Sequence, residues 1–592
     1  MRDDLPSPST GGGRQRYPTA TKRSMVPWFS PMQLLRTAPE VIISGVVGRH
    51  VDHRLIEALA TGTTPPYYDH TVLWKDTATG GTIEAADRRR EIWIDYVADT
   101  GDGWNPTHAV ASALARATLE VAAREGAKYV TKRGDLLVFG GDQVYPVARL
   151  KDYRERLLAP FESALDFTEE PHPHAFFLPG NHDWYDSLVA FSRLFCTKRW
   201  FAGWRTQQDR SYFAVRLPSG WWLLAPDVQL GSDIDAPQIE YFKMVATKMA
   251  IDDRVVLCCA QPFWIYSKKY ARFDSELYDE GNLAFFEERV LCRPGCIKVF
   301  ISGDLHHYRR HAAEDGTQKI TAGGGGAFLS PTHGSNVDCI QEEDLDGTVR
   351  RRFRQAACWP DVVTSGKLCW GNLLFPIYNP LFGGLTGPLY AVLAGVGLGN
   401  AVEGKSVSRI YLEGAYALLA QPDVLIIFMA VLAGFVLFTD THSRTYRWTA
   451  GVAHGLLHLV SALILGVVAI RLTEMNGFEV QAPWRPLAVG FLVLLAGWVW
   501  GSFLMGVYLL VSLNVFGRHS NEAFASVRIE DWKHFLRLHI DEAGALTIYP
   551  IGIRRVERKG VMGTDPELIE NVPICVGGRG LPLGERRGDT LR

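Results

Sequence analysis

The sequence has few of the features that mark secreted or nucleic-acid-binding proteins. Its nine cysteines in 592 residues lack the spacing of a disulfide framework or of a complete zinc site, which favours reduced thiols. The formal net charge of −2 leaves no excess of positive charge for a nucleic-acid-binding face, so no nucleic-acid partner is expected. Residues 1–30 contain no apolar run of the kind that a secretory signal peptide needs, and their composition predicts a disordered leader.

The sequence does contain a strong segregation of apolar residues. Hydrophobic residues make up 47% of the chain, and four long apolar segments lie at roughly 374–400, 422–439, 449–470 and 486–515. A helix needs about 20 apolar residues to cross a bilayer, so these segments predict a transmembrane region of about four helices over 372–516. The first segment is the weakest candidate because prolines and glycines interrupt it.

Composition also indicates where the other units begin and end. We expect a disordered leader at 1–30, a helical N-terminal extension at 31–87, an α/β domain at 88–365, a small β-rich unit at 519–560 and a flexible tail at 561–592. An even number of spans places the soluble parts on one side of the membrane. Four arginines at 350–354 precede the bundle and Arg518 follows it, which indicates a plasma (inner) membrane protein with a cytoplasmic catalytic domain.

Within the α/β domain, four short polar clusters follow apolar runs that are typical of strands. They are Asp99-Thr100-Gly101, Gly141-Asp142-Gln143-Val144-Tyr145, Gly180-Asn181-His182-Asp183 and Gly303-Asp304-Leu305-His306-His307-Tyr308. In an open α/β sheet, ligands bind at the carboxyl ends of the strands, so four such clusters are expected to converge on one site. Their side chains are suitable ligands for Mn²⁺, Fe or Zn²⁺, which predicts a metal centre. Farther along, residues 211–226 read as two strands around Pro218-Ser219-Gly220, which predicts a hairpin.

The order of these clusters resembles the calcineurin-like metallophosphoesterase superfamily, and most closely its purple acid phosphatase pattern. The common first motif is Asp-x-His, and here Gly101 stands at the histidine position. The second motif, Gly-Asp, extends here to Tyr145, as it does in purple acid phosphatases, where a phenolate replaces the lost histidine. The resemblance covers about 88–345 and implies an α/β fold with a layered β-sandwich and flanking helices.

The resemblance also implies two divalent or trivalent metal ions, with Fe and Mn favoured and Zn as an option. The first metal would be held by Asp99, Asp142, Tyr145 and His306. The second would share Asp142 as a bridge and take Asn181. Two histidines of the family's second site are missing, since Ala260 and Asp304 stand at their positions. Asp304 can still act as a ligand, and an oxygen-rich site favours a hard cation such as Mn²⁺ or Mg²⁺.

The same resemblance assigns roles around the metals. His182 would stabilise charge on the phosphate or donate a proton to the leaving group, and Asp183 would orient His182 or a neighbouring ligand. His307 and Tyr308 would contact the substrate. A glycine-rich segment, Thr321–Ala327, would either close the site or form a plain tight turn.

These inferences predict a membrane-anchored, metal-dependent phosphomonoesterase or phosphodiesterase. The substrate is a phosphate ester; a lipid-linked phosphate and a soluble nucleotide both remain open, as does the oligomeric state. The loss of two metal-binding histidines supports an alternative, a degenerate phosphoesterase that acts as a membrane-bound sensor or scaffold. A transporter with a regulatory phosphatase domain is a third reading, which only the apolar segments support. His454 and His458, four residues apart in the third segment, are expected to face the interior of the bundle.

Overall fold

The computed structural model of the protein describes residues 21–36, 67–72, 88–165, 172–228, 234–270, 281–398, 409, 421–439, 443–477 and 482–577. Most of the predicted helical extension at 31–87 lies outside these residues. Within them, the protein is a mixed α/β domain joined to a group of apolar helices. The α/β class predicted from the sequence is confirmed.

The described part of the chain contains the following elements. Its strands are β1 Tyr68–Asp69, β2 Ile92–Val97, β3 Thr118–Ala122, β4 Lys128–Lys132, β5 Leu136–Phe139, β6 His174–Phe177, β7 Trp200–Phe201, β8 Trp204–Thr206, β9 Phe213–Leu217, β10 Trp221–Ala225, β11 Arg254–Cys258, β12 Ile297–Ser302, β13 Tyr308–Ala313, β14 Gln318–Ala322, β15 Cys339–Glu343, β16 Val349–Trp359, β17 Lys533–Ile540, β18 Leu546–Ile553, β19 Glu567–Leu568 and β20 Ile574–Val576. Its α-helices are α1 Trp104–Ala115, α2 Leu150–Asp152, α3 Ala159–Ala164, α4 Asn181–Trp184, α5 Val189–Phe195, α6 Ala236–Ala246, α7 Phe263–Tyr270, α8 Gly281–Phe285, α9 Val362–Cys369, α10 Phe375–Tyr378, α11 Gly383–Leu398, α12 Pro422–Phe438, α13 Arg444–Met475, α14 Arg485–Phe516 and α15 Ser520–Val527.

The strands form two large sheets that pack against each other. The first runs in the order β1-β9-β10-β11-β12-β14-β13-β16-β15, and the second in the order β4-β3-β19-β18-β17-β2-β5-β6-β8-β7, with β20 beside β18. The predicted hairpin is confirmed, since β9 and β10 are antiparallel neighbours. Ile94 and Leu538 from the second sheet share one buried cluster with Val215 and Leu223 from the first. The main core therefore lies between the sheets.

Helices cover the outer faces of both sheets. Val110 and Leu114 of α1 belong to a buried cluster with Phe139 of β5, and Phe242 of α6 belongs to another with Leu257 of β11. Strands β2, β5 and β11 are buried along their whole length, as expected for strands that are covered on both faces.

The strands that follow the apolar helices belong to the same α/β domain. β17 pairs antiparallel with β2, with Arg537 opposite Asp95 and Leu538 opposite Ile94, and β18 lies on the other side of β17. β19 and β20 both pair with β18. The prediction of a separate β-rich unit at 519–560 is therefore wrong, because its strands complete the second sheet. The flexible tail predicted at 561–592 is wrong for residues 561–577, which contribute β19 and β20, whereas 578–592 lie outside the described residues.

The first described segment, 21–36, also packs on this domain. Met25, Val26 and Phe29 are buried, and the Val26 N–H donates to Asp102 Oδ1 at 2.8 Å. The prediction of a disordered leader is therefore wrong for residues 21–30, whereas residues 1–20 lie outside the described residues. The apolar side chains of the segment 21–36 pack against a surface that forms only when the α/β domain folds.

Three apolar helices are candidate membrane spans by length and composition: Pro380–Leu398, Arg444–Met475 and Arg485–Phe516. The second apolar segment of the sequence forms α12, which has 17 residues and is therefore at the short end of the range for a span. The first segment, predicted to be the weakest, is interrupted at Asn379, where the short helix α10 ends. Its second part forms the continuous helix α11 in spite of Pro388.

The packing of these helices shows their directions. A Cβ added at Gly451 of α13 would meet Val436 of α12, and one at Gly455 would meet Leu432, so α12 and α13 are antiparallel. The pairs that show the same for α11 and α14 are Gly383 with Trp498 and Gly387 with Leu494. Small residues at these crossings allow the close backbone approach that is typical of membrane helices.

His454 and His458 of α13 face the interior of this helix group, as the sequence predicted. Both are buried, and their Nε2 atoms lie 3.0 Å apart. The Nδ1 of His458 lies 2.9 Å from the Tyr390 hydroxyl of α11. The two histidines therefore take part in a polar contact between helices.

Candidate metal centre

The four polar clusters follow four strands that end at the same edge of the domain. Asp99 lies just beyond β2, Asp142 beyond β5 and Asn181 beyond β6, and these three strands are parallel neighbours in the second sheet. Asp304 follows β12 of the first sheet. Because the carboxyl ends of parallel strands meet at one edge, the clusters converge as the sequence predicted.

The three aspartates share an unusual backbone conformation. Asp99, Asp142 and Asp304 have φ angles of 57°, 47° and 67°, in the left-handed region that few residues other than glycine, asparagine and aspartate adopt. Each aspartate thus turns the chain sharply at the end of its strand. The neighbouring glycines provide the space: a Cβ at Gly303 would lie 2.6 Å from Asp99 Oδ2, and one at Gly180 would lie 2.0 Å from Asp142 Oδ1.

The four predicted ligands of the first metal meet at the hydroxyl of Tyr145. This oxygen lies 2.8 Å from Asp99 Oδ1, 3.3 Å from Asp142 Oδ2 and 3.1 Å from His306 Nε2. His306 Nε2 is also 3.5 Å from Asp99 Oδ1. The Nδ1 of His306 donates to the Phe328 carbonyl oxygen at 2.8 Å, which leaves Nε2 with a lone pair directed at the cluster.

The electrostatics of this cluster favour a cation. Burial, together with the nearby charges of Asp142 and Asp304, raises the pKa of Asp99 well above its usual value. Burial and the charge of Asp304 raise the pKa of Asp142 to about 8. Burial, and next the ammonium of Lys533, lower the pKa of His306 to about 3, so its imidazole is neutral and able to act as a ligand. A cation among these groups would relieve the repulsion between the carboxylates.

The donor set fits a hard metal ion, but it depends on the tyrosine. In the described part of the chain, no group of three or more His, Cys, Asp or Glu side chains is arranged as a metal site. Asp99, Asp142 and His306 instead surround a phenol, and two carboxylates, a phenolate and an imidazole together suit iron or manganese. The cluster is therefore suitable for a metal only if Tyr145 is itself a ligand.

The second predicted metal site has fewer donors. Asp304 Oδ2 accepts a hydrogen bond from the Tyr266 hydroxyl, and the Asn181 amide donates to the Tyr185 hydroxyl at 3.1 Å. Ala260 lies beside the loop of Asp142, since a Cβ on Gly141 would be 3.0 Å from the Ala260 methyl. A histidine at position 260 would thus be close to Asp142, but the alanine contributes no ligand atom.

His182 lies against the cluster through its ring and its backbone. Its ring centroid is 4.5 Å from that of Tyr145, and its N–H donates to Asp142 Oδ1 at 2.9 Å. Its Nδ1 donates to the Pro146 carbonyl oxygen at 2.8 Å, which leaves Nε2 for a substrate. Burial lowers the pKa of His182 below its usual value.

Asp183, which the sequence grouped with His182 and predicted to orient it or a neighbouring ligand, is buried behind the site. Its Oδ1 accepts from the Tyr153 hydroxyl at 2.5 Å, and its Oδ2 accepts from the Gly180 and Gln143 N–H groups at 2.9 and 3.3 Å. These bonds join the loop of Asn181 to that of Asp142. Asp183 is therefore arranged to position these two loops, and it does not line the cavity.

The two residues predicted to contact the substrate differ in position. His307 lines a cavity of about 400 Å³ that also reaches Asp142, Asn181 and His306. Tyr308 does not line this cavity; it belongs to β13 and its hydroxyl donates to Glu570. The prediction for Tyr308 is therefore wrong, because its side chain is directed at Glu570 and away from the cavity.

The glycine-rich segment Thr321–Ala327 packs against Asp99 and the end of β2. The Gly325 N–H donates to the Ala98 carbonyl oxygen at 2.9 Å, and the Ala327 N–H donates to that of Asp99 at 2.8 Å. A Cβ at Gly323 would lie 2.4 Å from Asp99 Oδ2. The segment thus closes the site by packing on Asp99, while these two amides bind the protein's own backbone.

Several residues that line the cavity were not predicted from the sequence. Trp28 contacts the rings of Tyr145 and His182, both at 6.1 Å between centroids, and Tyr266 and Lys269 come from α7. The pair Trp28-Phe29 in an otherwise polar leader was the available signal for the first of these. No sequence signal connected α7 with the site.

Comparisons with known proteins give only distant similarity. No family model and no curated protein matches the chain. One similar solved structure is GAP50, the anchor in the inner membrane complex of Plasmodium, with 14% identity, a TM-score of 0.29, and coverage of 47% of this chain and 93% of that one. Two others are purple acid phosphatase PPD1 from yellow lupin (13%, TM-score 0.29, 44% and 53%) and PhoD (11%, TM-score 0.25, 41% and 58%). The chain spans little more than half the length of the latter two, and none of the three assigns it to a family.

Proposed function

We propose that this protein is a membrane-anchored, metal-dependent phosphoesterase. The observation that carries the proposal is the convergence of Asp99, Asp142 and His306 on the Tyr145 hydroxyl. Together with Tyr145, these side chains come from three separate strand ends. Burying two carboxylates beside one phenol is unfavourable for folding, so the arrangement needs a functional reason. A metal centre provides that reason.

The chain's own residues would divide the work as follows. Asp99, Asp142, Tyr145 and His306 hold one metal ion, and Asp142, Asn181 and Asp304 offer oxygen atoms to a second. Bound metal ions supply charge neutralisation for the phosphoryl oxygens and acidify water. We assign Fe or Mn to the first position, with Zn as an option, and a hard cation such as Mn²⁺ to the second because its donors are all oxygens.

His182 is the residue that we assign to protonate the leaving oxygen of the substrate. Its Nδ1–H is held by the Pro146 carbonyl oxygen, so Nε2 is the atom that faces the substrate. It gives a proton to the leaving oxygen from the imidazolium form, in which both ring nitrogens are protonated. Trp28 packs edge-on against the same ring, at 72° between the ring planes. The imidazole is thus held from two sides before any substrate binds.

The anchor follows from the path of the chain. Trp359 lies before the apolar helices and Trp532 after them, and their ring centroids are 4.7 Å apart. If the helices cross a membrane, the number of crossings must be even. We therefore propose four crossings, with α12 as the short one and the α/β domain on a single side.

We place that side in the cytoplasm, but without the four arginines at 350–354 that the sequence argument included. The arginines at 350–354 lie in β16, where Arg351 is buried and pairs with Glu342 at 2.6 Å; a residue with that role in the domain is a poor topology signal. Arg444 and Arg518 flank the domain-side ends of α13 and α14 and carry the assignment instead.

Hydrolysis by the full chain in detergent tests this proposal. The purified protein is reconstituted with Fe, Mn²⁺ or Zn²⁺ and given aryl phosphate mono- and diesters. We expect metal-dependent turnover that is lost in Asp142→Asn. It should be kept in the control variant Asp252→Asn, which changes an exposed aspartate. Absence of turnover with all metals and both ester types would contradict it.

The hydrogen bonds made by Asp304 and Asn181 favour one second candidate, a sensor or scaffold. Both side chains already have partners in Tyr266 and Tyr185, and the second metal site lacks histidine. Metal analysis separates the two functions: a hydrolase of the two-metal type binds two ions per chain, whereas a sensor binds one or none.

A further inference from the structure

The cavity at the candidate metal centre has a second wall made by the end of the apolar helices. On one side it is lined by the site residues Asp142, Asn181, Asp304 and His306. On the other side it is lined by Gly517, Ser520, Asn521 and Ala525. These residues follow or belong to the end of α14, the 32-residue candidate span, and the short helix α15 after it.

This second wall is held closely to the α/β domain. A Cβ at Gly517 would lie 2.1 Å from the Gly334 carbonyl oxygen, so the two backbones are in direct contact. Lys269 of α7 donates a hydrogen bond from Nζ to Ser520 Oγ at 3.2 Å. The cavity is therefore a built feature in which both the metal-site residues and the helix end have defined positions.

The position of the wall along α14 indicates its depth relative to a bilayer. Val515 and Phe516 are 68% and 57% exposed, so the apolar outer surface of α14 continues to its last residue. The helix ends at the left-handed Gly517, and the chain then turns back so that the His519 ring stacks on Phe438, the last residue of α12. Ser520 therefore lies beside the domain-side ends of α12 and α14. This is the level at which lipid headgroups border the hydrocarbon core if the helices span a bilayer.

Exposed apolar side chains on the segment just before α11 also indicate where the headgroups would lie. Trp370, Ile377 and Leu381 are 59%, 71% and 59% exposed, and they lie between the end of β16 and the start of α11. A tryptophan beside aliphatic residues at the start of a membrane helix is typical of the interface between headgroups and hydrocarbon. The segment is continuous with the candidate spans, so the bilayer is the surface that it fits.

We propose that the substrate is a phosphate ester carried by a membrane lipid. Its headgroup occupies the cavity between Asp304 and Ser520 while its acyl chains remain in the bilayer beside α14. Lys269, which lines the cavity and touches its helix-end wall, binds the anionic headgroup. This inference rests on the proposed phosphoesterase function and names its substrate class.

The test compares one phosphate ester in and out of the membrane. The full chain is placed in phosphatidylcholine nanodiscs that contain phosphatidic acid, and phosphate release is measured with Mn²⁺ present. Glycerol 3-phosphate, the same phosphomonoester without acyl chains, and an aryl phosphate are the soluble substrates. We expect kcat/KM to be higher for phosphatidic acid than for glycerol 3-phosphate by on the order of a hundredfold, since the soluble ester lacks the contacts along α14.

Lys269→Ala and Lys268→Ala form a matched pair of variants. Lys269 lines the cavity, whereas its neighbour Lys268 carries the same charge but is exposed and does not line it. Lys269→Ala should lower kcat/KM for phosphatidic acid by about tenfold, the value of one charged hydrogen bond, and by a similar factor for glycerol 3-phosphate, which carries the same phosphomonoester. Lys268→Ala should change neither.

The outcomes separate this inference from the function on which it rests. Equal kcat/KM for phosphatidic acid and glycerol 3-phosphate, with both hydrolysed, would overturn the lipid substrate and leave the phosphoesterase standing. Equal effects of the two lysine variants on phosphatidic acid would overturn the role of Lys269. Absence of phosphate release from all three substrates would overturn the lipid phosphomonoester as substrate. If aryl phosphate diesters are also not hydrolysed with Fe, Mn²⁺ or Zn²⁺, the phosphoesterase itself is overturned as well.

Discussion

Asp95 of β2 and Arg537 of β17 form a buried ion pair between the two parts of the α/β domain that the apolar helices separate in sequence. Arg537 Nε lies 2.6 Å from Asp95 Oδ1, and Nη2 lies 3.0 Å from Oδ2. Both side chains are almost fully buried, and the two residues are directly opposite in antiparallel strands. The part of the α/β domain that precedes the apolar helices therefore lacks strand β17 until the residues after those helices fold onto it.

This pair predicts a large effect of Arg537→Ala on stability. The substitution leaves Asp95 as a buried, unpaired charge and should lower the free energy of unfolding by about 3–5 kcal/mol. Denaturant unfolding followed by tryptophan fluorescence measures it. Arg554→Ala is the control, since Arg554 pairs with Glu567 at the surface, where a pair is worth about 0–1 kcal/mol. Similar losses in both variants would contradict the central role of the buried pair.

His182→Ala should slow turnover and leave the metals in place. Removing a general acid costs about 10²–10⁴-fold in rate, and His182 is not among the four proposed ligands of the first metal. Turnover of an aryl phosphate and metal content per chain are measured together. His172→Ala, which removes a ring that packs on Trp200, is the control. A metal-free His182→Ala protein would show that the imidazole is a ligand.

Restoring both missing histidines should strengthen the second metal site. Ala260→His combined with Asp304→His adds two nitrogen donors near Asp142 and removes the acceptor of the Tyr266 hydrogen bond. We expect tighter binding of the second Zn²⁺ or Mn²⁺ in calorimetric titration, and a smaller gain for Asp304→His alone. Unchanged affinity in the double variant would mean that position 260 does not face the metals.

The acidic limit of stability should depend on Glu342 of β15. Burial raises the pKa of this carboxyl, but Lys319 and Arg351 outweigh it and hold the pKa below the usual 4.5. A lowered pKa in the folded state means that the stabilisation is complete above the unfolded value and is lost as the pH falls below it. Unfolding measured from pH 6 to pH 3 should therefore show a steeper loss for the natural protein than for Glu342→Gln. Parallel curves would exclude Glu342 as a cause.

The sequence was sufficient for features that depend on neighbours along the chain. Asp99, Asp142, Asn181 and Asp304 each follow an apolar run, so their place at strand ends was readable without a structure. The α/β class and the hairpin of β9 and β10 follow from the same local patterns. Apolar length alone indicated the candidate spans, since crossing a bilayer demands a minimum number of residues.

Residues whose role depends on distant contacts could not be assigned in this way. Tyr308 continues the fourth motif, but its side chain faces Glu570, a contact made across 262 residues. Trp28 looked like part of a disordered leader, yet it packs on Tyr145 and His182. In each case the partner belongs to another part of the chain, and no local pattern identifies it.

By itself, the sequence determined which side chains stand at the strand ends and which segments are apolar enough for a membrane, because both follow from short-range periodicity. Only the tertiary structure decided that β17 and β18 complete the second sheet and that the end of α14 forms a wall of the cavity. The physical reason is that strand pairing and helix packing join surfaces far apart in sequence. Their complementarity appears only when Arg537 lies opposite Asp95 and Gly517 meets Gly334.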